Sequence, residues 1–268
     1  MRNIALIGFG AIGASVVDLW PTLSNRSHLG ALLVRPYQLA EARARAPKET
    51  FVTDEPDAFL AKDADIVVEA AGHGAVAALG EKVLAQGRDF HILSVGALAD
   101  PGLRSTLAAT AAAHGSRIVV LAGALAGFDG LVSMRAGEIQ SVRYISTKPF
   151  SAWRGTPAEA LLPAAEQGEP VVVFRGSAAQ VCRLFPKNAN LAAAVAIAGI
   201  GFERTEVELV ADPTITDNIG HLHATADSGE LDVRLVGAGF AANPKSSRIT
   251  ALSVIGALHD LCEPVAFR

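Results

Sequence analysis

Three groups of residues in this sequence have types and spacing suited to chemistry. The first is Gly8-Phe9-Gly10-Ala11-Ile12-Gly13, a G-x-G-x-x-G run. It follows an apolar segment and opens a helical pattern, the setting in which such glycines hold a dinucleotide. Gly8 then permits the tight turn, Gly10 lets the pyrophosphate approach the backbone, and Gly13 allows close helix–strand packing. Ala11 and Ile12 begin a helix whose N-terminus attracts phosphate. The second group ends apolar runs: Glu69-Ala70-Ala71-Gly72-His73, Ser94-Val95-Gly96-Ala97 and Ala122-Gly123-Ala124. Strand ends of this kind line a ligand crevice. Ala71 and Gly72 are expected at the cofactor and His73 at the substrate. The third group is Lys187-Asn188-Ala189-Asn190, a cation and two amides leading into a helix, suited to an anionic substrate. Lys245, in Asn243-Pro244-Lys245-Ser246-Ser247, is a further substrate candidate, with Ser246 and Ser247 as N-caps of a last helix. Lys148, Arg154 and Asp212 read as surface charges or a turn residue.

The elements that position these groups follow from apolar periodicity. Strands are expected at Asn3–Ile7, Leu29–Val34, near Phe51, and at Asp65–Ala70, His91–Ser94 and Arg117–Leu121. Helices are expected at Ala11–Trp20, Tyr37–Arg45, Pro56–Ala61, Gly74–Gln86 and Pro101–His114. Strict alternation means βαβ units and a parallel sheet. Past Gly123 the strands cluster: Ser141–Thr147, Val171–Gly176, Glu206–Ala211, His221–Ala226 and Leu231–Val236. Helices are expected there at Ser177–Phe185, Asn190–Ala198 and Ser246–Leu261. The fold class expected is α/β: an N-terminal Rossmann doubly wound sheet with a second α+β domain. The dinucleotide-binding domain is placed at 1–124 plus 243–268, and a substrate, catalytic and dimerisation domain at 125–242.

Composition narrows the partners. Of 268 residues, 50% are hydrophobic and 19% charged, and the net charge is −4, which argues against a basic nucleic-acid footprint. No apolar stretch of about 18 residues suggests a membrane span. Cys182 and Cys262 lack metal-ligand spacing and read as buried thiols of a cytoplasmic protein. After the second strand, Val34-Arg35-Pro36 carries no acid for a ribose 2′-hydroxyl, and Arg35 suits a 2′-phosphate. The cofactor expected is therefore NADP or NAD, with NADP favoured, and a homodimer is expected.

The segments IGFGAIG, VVEAAGH, ILSVGAL, LAGALAGFDGL, KPFSAWRGTP, FPKNANLAAAVAIAGIGFERTEVELVADP and NPKSSRITALSVIGAL resemble, in this order and over nearly the whole chain, the L-aspartate dehydrogenases. The resemblance implies oxidation of L-aspartate, a small dicarboxylate, with NAD or NADP to iminosuccinate. That product feeds nicotinamide dinucleotide biosynthesis or hydrolyses to oxaloacetate and ammonia. It also implies cofactor contacts at Ala124 and Asn190.

One departure concerns the proton. After VADP the family pattern has Asn, an aliphatic residue and a catalytic histidine, whereas this chain reads Asn218-Ile219-Gly220-His221-Leu222-His223. His221 falls one place late, which on a strand is the opposite face. Three readings follow. A bulge at Gly220 turns His221 into the cleft; another group such as Lys187 replaces it; or the chemistry has moved to another small imine or carbonyl substrate. A dinucleotide-binding protein without turnover is the non-enzymatic alternative.

Overall fold

The computed structural model describes residues 2–23, 27–162, 168–240, 243–261 and 263–265. The chain divides into two compact units, Met1–Gly123 with Thr250–Arg268, and Ala124–Ile249.

The first unit is built on strands β1 (Arg2–Ile7), β2 (Ser27–Leu33), β3 (Phe51–Thr53), β4 (Ile66–Glu69), β5 (Asp89–Ile92) and β6 (Ile118–Val120). Between them lie α1 (Ala11–Leu19), α2 (Leu39–Arg45), α3 (Pro56–Leu60), α4 (His73–Leu84) and α5 (Pro101–His114). All pairings are parallel and the strand order is β3-β2-β1-β4-β5-β6. This is the doubly wound order whose reversal, between β1 and β4, opens a crevice at the strand C-termini. In β4 all four residues are buried, and so are the last four of β1. Continuous apolar burial, rather than alternation, is what helices on both faces of a parallel sheet require. Asp100 caps α5 by accepting from the Leu103 N–H at 2.9 Å, and Gly115 ends it at φ +67°.

The second unit contains α6 (Phe128–Met134), β7 (Ile139–Lys148), β8 (Val171–Ser177), α7 (Ala178–Leu184), α8 (Asn190–Ala198), β9 (Glu206–Ala211), β10 (Asn218–Ala226) and β11 (Gly229–Gly237). The sheet order is β11-β10-β7-β9-β8, with only β7 and β9 parallel. From Gly220 onward β10 alternates buried and half-buried residues, the signature of a sheet covered on one face.

Several expectations are corrected. Strand β5 starts at Asp89, two residues early, because it pairs with β4 from Ile66 onward. Helix α6 was not expected; its seven residues include only one buried side chain, Leu131, too weak a period to read. Ser177 lies outside its helix as the cap, its hydroxyl and the Gln180 amide closing a reciprocal pair. The expected loop at Asn243 is a strand, β13 (Asn243–Ser247), paired with β12 (Gly239–Phe240). The final helix, α9 (Arg248–Asp260), therefore begins at Arg248, and the Ser247 hydroxyl donates to the Ala238 carbonyl at 3.4 Å instead of capping. Among the described residues no helix is long and apolar enough to cross a membrane.

Candidate active site

The glycine run forms the turn between β1 and α1. Gly8 has φ +107°, and a Cβ there would sit 2.7 Å from the Ala70 carbonyl oxygen. A Cβ on Gly13 would fall 2.1 Å from the Gly8 carbonyl oxygen. Both contacts are with backbone, which cannot retreat, so only glycine fits. Gly10 differs: a Cβ there would meet nothing within 4 Å, so the absent side chain leaves open space in front of α1. Gly10 caps α1 without a side-chain bond, and Ala11 and Ile12 follow as its first helical residues. A helix start of this kind binds phosphate.

Beside this turn lies a cavity of about 400 Å³, lined by Gly8, Gly10, Val34, Arg35, Tyr37, Asp54, Ala70 and Ala71 among others. Arg35 donates to the Tyr37 hydroxyl at 3.2 Å, and its N–H donates to Gln38 Oε1 at 3.2 Å. Gln38 Nε2 donates in turn to the Phe9 carbonyl at 2.7 Å. The end of β2 is thus braced to the glycine turn by side chains. Three of these residues escaped sequence reasoning. Gln38 was legible as a partner three places after Arg35; Tyr37 and Asp54 reach the cavity from separate loops and carried no local signal. These residues fit an adenine dinucleotide: an open glycine cradle, a helix start and a cavity with one cation. Gly72, at φ +132°, turns the chain into α4, with His73 as its first residue.

In the second unit, Lys148 ends β7 and donates to Asn188 Oδ1 at 3.1 Å. Asn188 closes a short turn, Pro186–Asn188, that precedes α8, and Asn190 is the first residue of that helix. The structure thus brings Lys148 to Asn188, beside exposed Lys187 and half-buried Asn190. Ala124, half-buried, opens this unit. Asp212 is a turn residue: its carboxylate accepts from the Thr214 N–H at 2.8 Å and hydroxyl at 2.7 Å. Arg154 is exposed. The Lys245 side chain and Cys262 lie outside the described residues. Burial pushes the Cys182 thiol up to about 11, so it stays protonated and unreactive.

The bulge expected at Gly220 does not form. Strand β10 pairs without a break across Gly220 and His221 with both neighbours; its one irregularity lies at Thr225/Ala226. Gly220 consequently faces the covered side, opposite Ser146. A Cβ there would lie 3.0 Å from Leu125 Cδ1 and 3.7 Å from the Tyr144 hydroxyl. His221 faces the other side, its Nε2 3.0 Å from both oxygens of Asp232. His223 shares that face and meets Glu230 at 2.7 Å. Each cross-strand bond stays satisfied only in a regular ladder, and the ladder fixes the face. Tyr144 is wholly buried, which pushes its phenol up to about 12, against the opposing effect of its bond to Ser146.

Residues 8–121 match the family model described as homoserine dehydrogenase, NAD binding domain, and residues 129–261 match aspartate dehydrogenase, C-terminal. A curated L-aspartate dehydrogenase of Pseudomonas aeruginosa is 41% identical over 264 residues, covering 96% of this chain and 97% of the relative. The chain belongs to the L-aspartate dehydrogenase family. A second member, from a Polaromonas species, is 40% identical over 96% of this chain and 97% of its own length. The crystal structure of aspartate dehydrogenase from Thermotoga maritima covers both chains fully at a TM-score of 0.76 and 24% identity, which shows the shared fold. The Rossmann sheet with a second, mixed-sheet unit is therefore the fold of this dehydrogenase, and the protein is an NAD(P)-dependent oxidoreductase.

Proposed function

We propose that this dehydrogenase oxidises the amine of L-aspartate, and that Lys148 and Asn188, with Lys187, grip the substrate carboxylates while Ala124 and Asn190 contact the cofactor. The observation that carries the reading is the 3.1 Å bond from Lys148 to Asn188 at the start of α8, which assembles cation and amide donors from separate elements. Carboxylates bind strongly to such charge-assisted donors. The first unit supplies the dinucleotide cradle, with Gly8, Gly10, Ala11, Ile12, Gly13, Ala71 and Gly72 around the phosphates and Arg35 at the ribose. The second supplies the substrate grip. When bound, a nicotinamide dinucleotide would supply the hydride-accepting chemistry; the chain's part is orientation and electrostatics. Arg35 in the cavity, without an acid at the end of β2, supports NADP over NAD. His221 is left out of the proton step, since it is held by Asp232 on the face away from Gly220.

Gly220 favours a second reading, a relative acting on another small imine or carbonyl, because no side chain there can serve as proton acceptor. A spectrophotometric assay at 340 nm separates the two. Turnover of L-aspartate with NADP+ or NAD+, and of oxaloacetate with ammonium in reverse, supports the first. Turnover confined to other members of a keto-acid and amine panel supports the second, and tight cofactor binding with no turnover on any substrate refutes both. A homodimer in a cytoplasmic route toward nicotinamide dinucleotides is the setting proposed, which sedimentation and localisation of the tagged protein test.

A further inference from the structure

Glu69 ends β4, the strand beside β1 at which the sheet order reverses, and its side chain is 0% exposed. A carboxylate so placed must have its charge met by hydrogen bonds. Its Oε1 accepts from the Ala71 N–H at 2.7 Å, the Gly72 N–H at 2.6 Å and the Ser94 hydroxyl at 2.9 Å. Its Oε2 accepts from the Ser94 N–H at 3.0 Å. One side chain thus ties the turn after β4 to the turn after β5. The first of these turns is also a wall of the cofactor cradle. Ala70 and Ala71 line the cavity, and a Cβ on Gly8 would lie 2.7 Å from the Ala70 carbonyl oxygen and 2.9 Å from the Ala71 Cα. The wall and the glycine turn are in contact, so neither shifts without the other.

We propose that Glu69 is a positioning residue for the dinucleotide: its buried carboxylate holds the Ala71–Gly72 turn and Ser94 in the places that receive the cofactor beyond its adenosine end. The proposal rests on the reading that the dinucleotide lies on the Gly8 turn. The four donors suit a carboxylate, since each oxygen faces at least one N–H. A glutamine of the same shape turns its amide N–H toward one of them, leaving two donors opposed in a dry site. On that reading the adenosine end would meet the part of the cavity lined by Arg35, Tyr37 and Asp54, none of which bonds to Glu69.

The test compares wild type, Glu69→Gln and Ser94→Ala, each checked for native circular dichroism. Calorimetry measures the affinity for NADH or NADPH, whichever wild type binds more tightly, and for the matching adenosine fragment, AMP or adenosine 2′,5′-bisphosphate. Glu69→Gln is expected to weaken the dinucleotide about tenfold, equivalent to about 1.4 kcal/mol, and to leave the fragment's affinity unchanged. Ser94→Ala, which removes one donor and keeps the charge, weakens the dinucleotide in the same direction by less, and decides the matter if Glu69→Gln does not fold. A general structural defect would instead lower both affinities in proportion, and that result, or wild-type dinucleotide affinity in both variants, overturns the proposal. Wild type that binds neither dinucleotide refutes the reading of the Gly8 turn itself.

Discussion

Acid should destabilise this protein through His91. The residue sits in β5, 3% exposed, paired on either side by Val68 of β4 and Val119 of β6. Its Nδ1 has no hydrogen-bond partner among the described residues. Burial lowers its pKa from 6.5 to about 4; Asp89 opposes this by a smaller amount and Arg117 adds slightly to it. Because the folded pKa is depressed, the neutral imidazole is the form that the fold accepts. Above about pH 6.5 neither state is protonated and this linkage costs nothing. Between 6.5 and about 4 the unfolded chain binds a proton that the folded chain refuses, so stability falls as pH falls. Below the folded pKa the loss is complete. The interval of about 2.5 units, at about 1.36 kcal/mol per unit, sets a ceiling of roughly 3 kcal/mol. The assay is urea unfolding of wild type and His91→Leu at pH 7.5, 5.5 and 4.5. Carboxylates elsewhere give both proteins a shared slope, so the difference isolates the histidine. His91→Leu should lose roughly 2–3 kcal/mol less than wild type between pH 7.5 and 4.5. It should also be no less stable at pH 7.5, since the variant removes a buried polar atom that lacks a partner. Parallel pH dependences in the two proteins would refute the reasoning.

Other outcomes follow from the site. Gly13→Ala places a methyl 2.1 Å from the Gly8 carbonyl oxygen, so the turn must open; about 1–3 kcal/mol of stability and most cofactor affinity should be lost, read by thermal melting and calorimetry. Arg35→Ala should weaken NADP+ by about tenfold or more, the worth of a charge-assisted bond to phosphate, while NAD+ binding barely changes; equal losses for both cofactors would remove Arg35 from the 2′-phosphate. His221→Ala should keep turnover at the wild-type order of magnitude, and a collapse of kcat with folding intact would return that histidine to the proton step.

The glycine turn between β1 and α1 was legible in the residues because its spacing and the strand–turn–helix pattern around it are local. Gly13 is forced by the Gly8 carbonyl within one strand–turn–helix unit, whereas Gly8 is forced by Ala70 and Ala71 of the turn after β4; the apolar runs of β1 and β4 already announce a sheet covered on both faces. The apolar runs Asn190–Ala198 and Glu206–Ala211 were also legible, and their observed bounds are the expected ones. The proposed carboxylate grip is less local. Lys148 and Asn188 are forty residues apart, and their 3.1 Å bond exists because β7 ends where the turn before α8 passes. Glu69 read as the end of a buried strand; its bonds to Ala71 and Gly72 are local, but that it also reaches Ser94 is decided by the parallel register of β4 with β5. His221 shows the limit most sharply. Its place one residue past Gly220 was plain in the sequence, and so was the choice between bulge and regular strand. The choice itself was made by β7 and β11, which pair with every residue around Gly220 and leave no room for an extra one. A strand alone specifies which residues share a face; its neighbours decide which face meets the covered side.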